Sequence, residues 1–142
     1  MKWDEMLGLV KQGNVRMEHG GVRERKHPDD AEHRLQCCCV QWFRMQYPEH
    51  IHSLFAVPNG GRRDKVTGAK LKAEGVMAGV ADLILLMQSK GYGALLIEMK
   101  VRGGKQSPSQ KEWQKKVEND GYRYVVCRSF DEFRNAVEDY LI

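Results

Sequence analysis

Two carboxylates and an amine stand out by their setting: Asp82, near the head of the aliphatic run GVADLILLM, and Glu98 and Lys100, at the end of GALLIEMK. Charged side chains inside such apolar stretches are costly to bury and need a compensating partner. Hard carboxylate oxygens hold Mg²⁺ or Mn²⁺, and an ammonium beside them can orient a water or help to deprotonate it. Phosphodiester hydrolysis needs these parts, because a cation screens the phosphate as charge develops and lowers the pKa of a bound water. Taken singly, Asp82 reads as a solvated strand-end carboxylate, and Glu98 with Lys100 as an ion pair of little worth to stability. The chemistry therefore depends on whether the fold brings all three together.

GALLIEMK, running from Gly93 to Lys100, has the composition of a buried strand. Extended side chains alternate faces, so Leu95, Ile97, Met99 and Val101 line one side while Ala94, Leu96, Glu98 and Lys100 line the other. Glu98 and Lys100 then point the same way, roughly 6.5 to 7 Å apart along the strand. GVADLILLM reads as a second buried strand, and Ser89, Lys90 and Gly91 between the two predict a tight turn and an antiparallel hairpin. Asp82 lies near the start of the first arm and Glu98 near the end of the second. The hairpin brings them close to facing each other at one end of a sheet.

Helices must flank that hairpin. After Pro28, Asp29 and Asp30, the run AEHRLQCCCVQWFRMQY places Leu35, Cys38, Cys39, Trp42 and Phe43 at helical spacing, and Pro48 ends it. Glu32 sits in the first turn, in line with Leu35, Gln36 and Cys39, at the mouth of the buried face. The helix dipole would favour a glutamate there without any further role. HIHSLFAV reads as a strand, Pro58 to Gly61 as a turn, and TGAKLKAEG as a short helix.

Downstream, Ser107 is an N-cap, Pro108 fits the first helical position, and Gln110 stands where a capping box places its glutamine. Gly121 stops this helix, YRYVVC is a further strand, and SFDE opens a last helix with a second capping box, burying Phe133, Ala136, Val137 and Tyr140. The order of elements predicts an α/β domain on a mixed sheet, spanning residues 27–142. Residues 1–26 read as an N-terminal arm, a segment for packing or oligomerisation.

The 142 residues, 42% of them hydrophobic, suffice for one core. No apolar run approaches the ~20 residues that span a bilayer, and the N-terminus lacks a secretory core, so the expectation is a soluble, cytoplasmic protein with no membrane role. Cys37, Cys38 and Cys39 are consecutive and Cys127 lies in a strand pattern, which suits buried or half-buried thiols better than a spaced metal site. His50 and His52 would share one face of a strand, yet ordinary surface or core roles account for them.

The net charge of +4 is unevenly spread. Arg62, Arg63, Lys65, Lys70 and Lys72 outnumber Asp64 and Glu74 before the hairpin. Within the stretch from Lys100 to Lys116, the cations Lys100, Arg102, Lys105, Lys111, Lys115 and Lys116 face only Glu112. Positive charge on both sides of the carboxylates suits a phosphate backbone, and it suits a pair of solvated faces equally well.

The spacing of Asp82 and Glu98-Met99-Lys100 resembles the PD-(D/E)xK nuclease superfamily. VPNGGRR at Val57 to Arg63, LKAEGVMAGVADLILL at Leu71 to Leu86, LLIEMKVRGGKQSPSQKEW at Leu95 to Trp113 and GYRYVVCRSFDEF at Gly121 to Phe133 resemble its VRR-NUC branch. The resemblance covers about the last 110 residues. One departure is Ala81, where the family usually has a proline before its aspartate.

The resemblance implies a restriction-endonuclease-like mixed sheet flanked by helices. It implies Mg²⁺ or Mn²⁺ held by Asp82, Glu98 and the Met99 carbonyl, with Lys100 handling the attacking water. Glu32 matches the family's additional acidic position, which implies that it reaches the metal directly or through water, and Gln110 matches a position near the site, which implies a support role. The activity implied is a DNA endonuclease. Small single-domain members resemble Holliday-junction resolvases, which implies a homodimer acting on branched DNA. Arg62, Arg63, Lys65, Lys70, Lys72 and Lys105 are then the phosphate contacts. The alternatives are a module of the same fold that binds nucleic acid without cutting, and a restriction-like enzyme acting on duplex.

Overall fold

The computed structural model describes residues 28–58 and 65–142. The 1–26 arm and the predicted contacts Arg62 and Arg63 lie outside the described residues. Helix α1 spans Pro28–Gln46, a 3-10 turn Pro48–Ser53, β1 Leu54–Ala56, α2 Lys65–Ala73, β2 Leu83–Leu85, β3 Leu95–Met99, α3 Pro108–Asn119, β4 Arg123–Cys127 and α4 Phe130–Leu141. The strands form one mixed sheet in the order β1-β2-β3-β4. β1 and β2 are antiparallel, as are β2 and β3, whereas β4 runs parallel to β3 after the α3 crossover.

The predicted hairpin forms with Leu83 opposite Ile97 and Leu85 opposite Leu95. Lys90 (φ 52°) and Gly91 (φ 84°) both take positive φ, as a two-residue turn matching the strand twist requires. One face of the sheet carries Leu83, Leu85, Leu95, Ile97, Met99 and Cys127. It packs on α1 and α4 through Cys38, Cys39, Trp42, Phe43, Phe133, Val137 and Tyr140. The other face carries a smaller cluster of Ala81, Ala94, Leu96 and Tyr124, covered by Trp113 and Val117 of α3. β3 is thus buried on both sides, and every one of its residues is buried, Glu98 included.

Three local expectations are corrected. The predicted strand HIHSLFAV begins only at Leu54. Pro48 starts a 3-10 turn that takes up His50 and His52, so no strand face aligns them. Cys37 is exposed, while Cys38, Cys39 and Cys127 are buried, because consecutive helical residues cannot all face the core. In α4, Ser129 caps the Glu132 N–H as a capping box requires, but the Glu132 carboxylate accepts from the Arg128 N–H, one residue before the cap. Among the described residues no helix is long and apolar enough to cross a membrane.

Candidate active site

The site lies where β2 and β3 part, on the face covered by α3. The β2–β3 ladder ends at Leu83 and Ile97. Beyond it the Met99 N–H donates to Asp82 Oδ2 at 2.8 Å, so a carboxylate stands in for the next strand's backbone. The Asp82 carbonyl accepts from the Val57 N–H at 2.9 Å, which fixes the residue from the β1 side. Ala81, in place of the family's usual proline, is buried in the small cluster directly before it.

Glu98 is 1% exposed. Its Oε1 accepts from Gln110 Nε2 at 3.0 Å and lies 3.8 Å from Lys100 Nζ. Its Oε2 is buried with no hydrogen-bond partner among the described residues. Burial, and then the neighbouring Asp82 carboxylate, push the Glu98 carboxyl up to about 8, against the downward pull of Lys100. Two carboxylates cannot donate to each other. The Asp82–Glu98 contact becomes a hydrogen bond only when Glu98 carries a proton. A buried acid pair with an orphaned oxygen is a place where a cation can replace a proton, and a divalent ion fits this donor set.

Gln110 holds both roles that the sequence left open. Its Oε1 accepts from the Ser107 N–H at 2.8 Å and its own N–H donates to Ser107 Oγ, completing the capping box of α3. The other end of the same amide donates to Glu98. Cap and site are thus one unit. Behind them Gln106 donates to Gln114 and to the Tyr124 hydroxyl, which burial pushes up to about 12, so Tyr124 is no proton acceptor for the site.

Asp82, Glu98, Lys100 and Gln110 line a single cavity of about 410 Å³, together with Glu32 from α1 and Lys72 from α2. The charge of Glu32 is felt at Glu98. Even so, no three His, Cys, Asp or Glu side chains among the described residues close into a ready metal-binding group. Met99 offers only its backbone here, because its side chain is buried in the opposite core. Of the predicted phosphate contacts, Lys72 lines the cavity, Lys70 is exposed on α2, Lys105 is exposed after β3, and Lys65 opens α2.

Gly79 is the residue that pattern reading missed. It has φ +86°, and a Cβ there would meet the Ser109 carbonyl oxygen at 2.4 Å and the Gln110 nitrogen at 3.0 Å. The loop before Asp82 thereby rests directly on the first turn of α3. Gly79→Ala is expected to cost upward of about 1 kcal/mol in urea denaturation and to loosen Gln110 from Glu98. An unchanged midpoint would show that the approach relaxes freely.

The signature of the VRR-NUC domain matches residues 22–131, starting inside the segment read above as the arm. A VRR-NUC domain protein of known structure superposes with a TM-score of 0.68 at 27% identity, over 78% of this chain and 87% of that one. No curated protein matches the sequence.

Proposed function

Because the chain belongs to the VRR-NUC domain family, which is nuclease-type, we propose that it is a Mg²⁺- or Mn²⁺-dependent DNA endonuclease acting on branched DNA. The observation that carries this reading is Glu98: a fully buried carboxylate with an unpartnered oxygen, set against a second carboxylate at the floor of an open cavity. Asp82 and Glu98 would hold the ion, with the Met99 carbonyl as a backbone ligand and Glu32 reaching it through water. Bound there, a divalent cation supplies charge neutralisation for the phosphate and a more acidic water.

The chain's own residues do the rest. The Met99 N–H fixes the Asp82 carboxylate, and Gln110 fixes Glu98, so neither has to reorganise as the phosphate enters. Lys100, 16% exposed at its side chain, can donate to the attacking water from within the cavity and orient it. Lys72 lines the same cavity and would meet the incoming phosphate, and Lys70 and Lys105, both exposed, would extend the positive surface outward.

A homodimer presenting two such sites suits a branched substrate. The test is a panel of labelled duplex, flap, splayed and four-way DNAs incubated with Mg²⁺, Mn²⁺ or EDTA. Cleavage of the branched forms only with a divalent ion is the expected result. Binding without any cleavage would favour the non-cutting module, and preferential cutting of plain duplex at a short sequence would favour the restriction-like reading.

A further inference from the structure

The turn between α2 and Gly79, which lines part of the cavity, presents apolar side chains to solvent. Val76 is 37% exposed and Met77 59% exposed, and both line the same cavity as Glu98 and Lys100. Water-exposed apolar groups beside a charged site offer an uncharged face for an uncharged part of a ligand to cover. They cannot serve a phosphate.

The turn that carries them is fixed at both ends. At the α2 side the Gly75 N–H donates to the Lys72 carbonyl at 3.0 Å and the Val76 N–H to the Leu71 carbonyl at 2.9 Å. With Gly75 at φ +106° this is a Schellman closure, which sets Val76 where such motifs make their apolar contact back to the helix. At the other side Gly79 is seated on Ser109 of α3, too close for a Cβ. Met77 therefore stands on a short bridge between two anchored points, two residues from each glycine.

We propose that the Val76–Ala78 turn, with Met77 at its apex, is a wedge that takes the face of an unstacked base beside the phosphate in the cavity. The contact selects DNA with an interrupted or branched duplex over continuous duplex. The inference rests on the nuclease reading above and names the physical origin of its substrate preference. Charge and shape agree with it: Lys72 in the same cavity meets the backbone, and the apolar turn meets what lies next to it. Methionine is among the side chains that enter base steps as wedges, and a base gains by covering an apolar face only if it has left its own stack. A continuous duplex offers no such face without the cost of unstacking.

The test pairs binding with cleavage. A four-way junction and a matched duplex carry 2-aminopurine next to the branch position, and binding is followed by fluorescence in the Lys100→Ala background. The junction signal is expected to rise on binding and the duplex signal to stay flat, with Met77→Ser abolishing the rise and Met77→Leu keeping it. In the otherwise wild-type enzyme, Met77→Ser is expected to lower junction cleavage about tenfold relative to duplex cleavage. An unchanged junction-to-duplex ratio, or a fluorescence rise that survives Met77→Ser, overturns the wedge and leaves the nuclease reading standing. A wild type that cuts none of the DNAs removes both.

Discussion

Lys100→Ala is expected to lower single-turnover cleavage of a labelled four-way DNA by about 10²- to 10⁴-fold, the range for loss of a positioned acid–base group, while junction binding persists. The fold has reason to survive. Losing the 3.8 Å approach of Lys100 to Glu98 Oε1 need not leave a bare buried charge, because Gln110 still donates to that oxygen and Glu98 can keep a proton when the ammonium is gone. What is lost is the cavity amine that lies 3.8 Å from Glu98 Oε1. A Lys100→Ala enzyme that cuts at wild-type rate would remove this lysine from the chemistry.

Glu98→Gln separates the acid from its shape. In the metal-free protein the Glu98 carboxyl is raised to about 8 from an ordinary 4.5, so the folded state binds the extra proton between those values. Its contribution to stability is then fully present below about pH 4.5 and is lost as pH rises through about 8. The slope is at most about 1.4 kcal/mol per pH unit. The melting temperature of the metal-free protein, taken as the wild type minus Glu98→Gln difference, should fall from pH 5.5 to pH 8.5.

Manganese reverses the sign, because binding an ion displaces the proton. Its affinity should climb up to about tenfold per pH unit across that window and be lost in Glu98→Gln at every pH. A melting difference that is flat with pH would mean that burial does not hold the Glu98 carboxyl above the ordinary carboxylate range.

The pattern of two made the site readable from the chain. Because β3 alternates strictly, Glu98 had to leave the Met99 face; the turn's Ser89–Tyr92 pairing continued unbroken would set Asp82 opposite Met99, and the β2–β3 ladder, shifted from it by one residue, sets it opposite Glu98. The α3 cap was equally legible, since Ser107, Pro108 and Gln110 carry local signals. What pattern could not supply were contacts between distant segments. Gly79 rests on Ser109 thirty residues later, and nothing local marks that approach. Gln110 looked like a choice between cap and site because only the folded chain puts Glu98 at the free end of its amide. The His50–His52 stretch failed for a local reason: Pro48 favours a tight turn, and the β-rich composition after it concealed where the turn ends.

The most direct test is diffraction from crystals of the intact chain soaked in Mn²⁺, read at the manganese absorption edge. The account expects one anomalous peak between the Asp82 and Glu98 carboxylates at the floor of the cavity, absent in Glu98→Gln. Strong manganese signal elsewhere on the protein, with none between these two side chains, would contradict it.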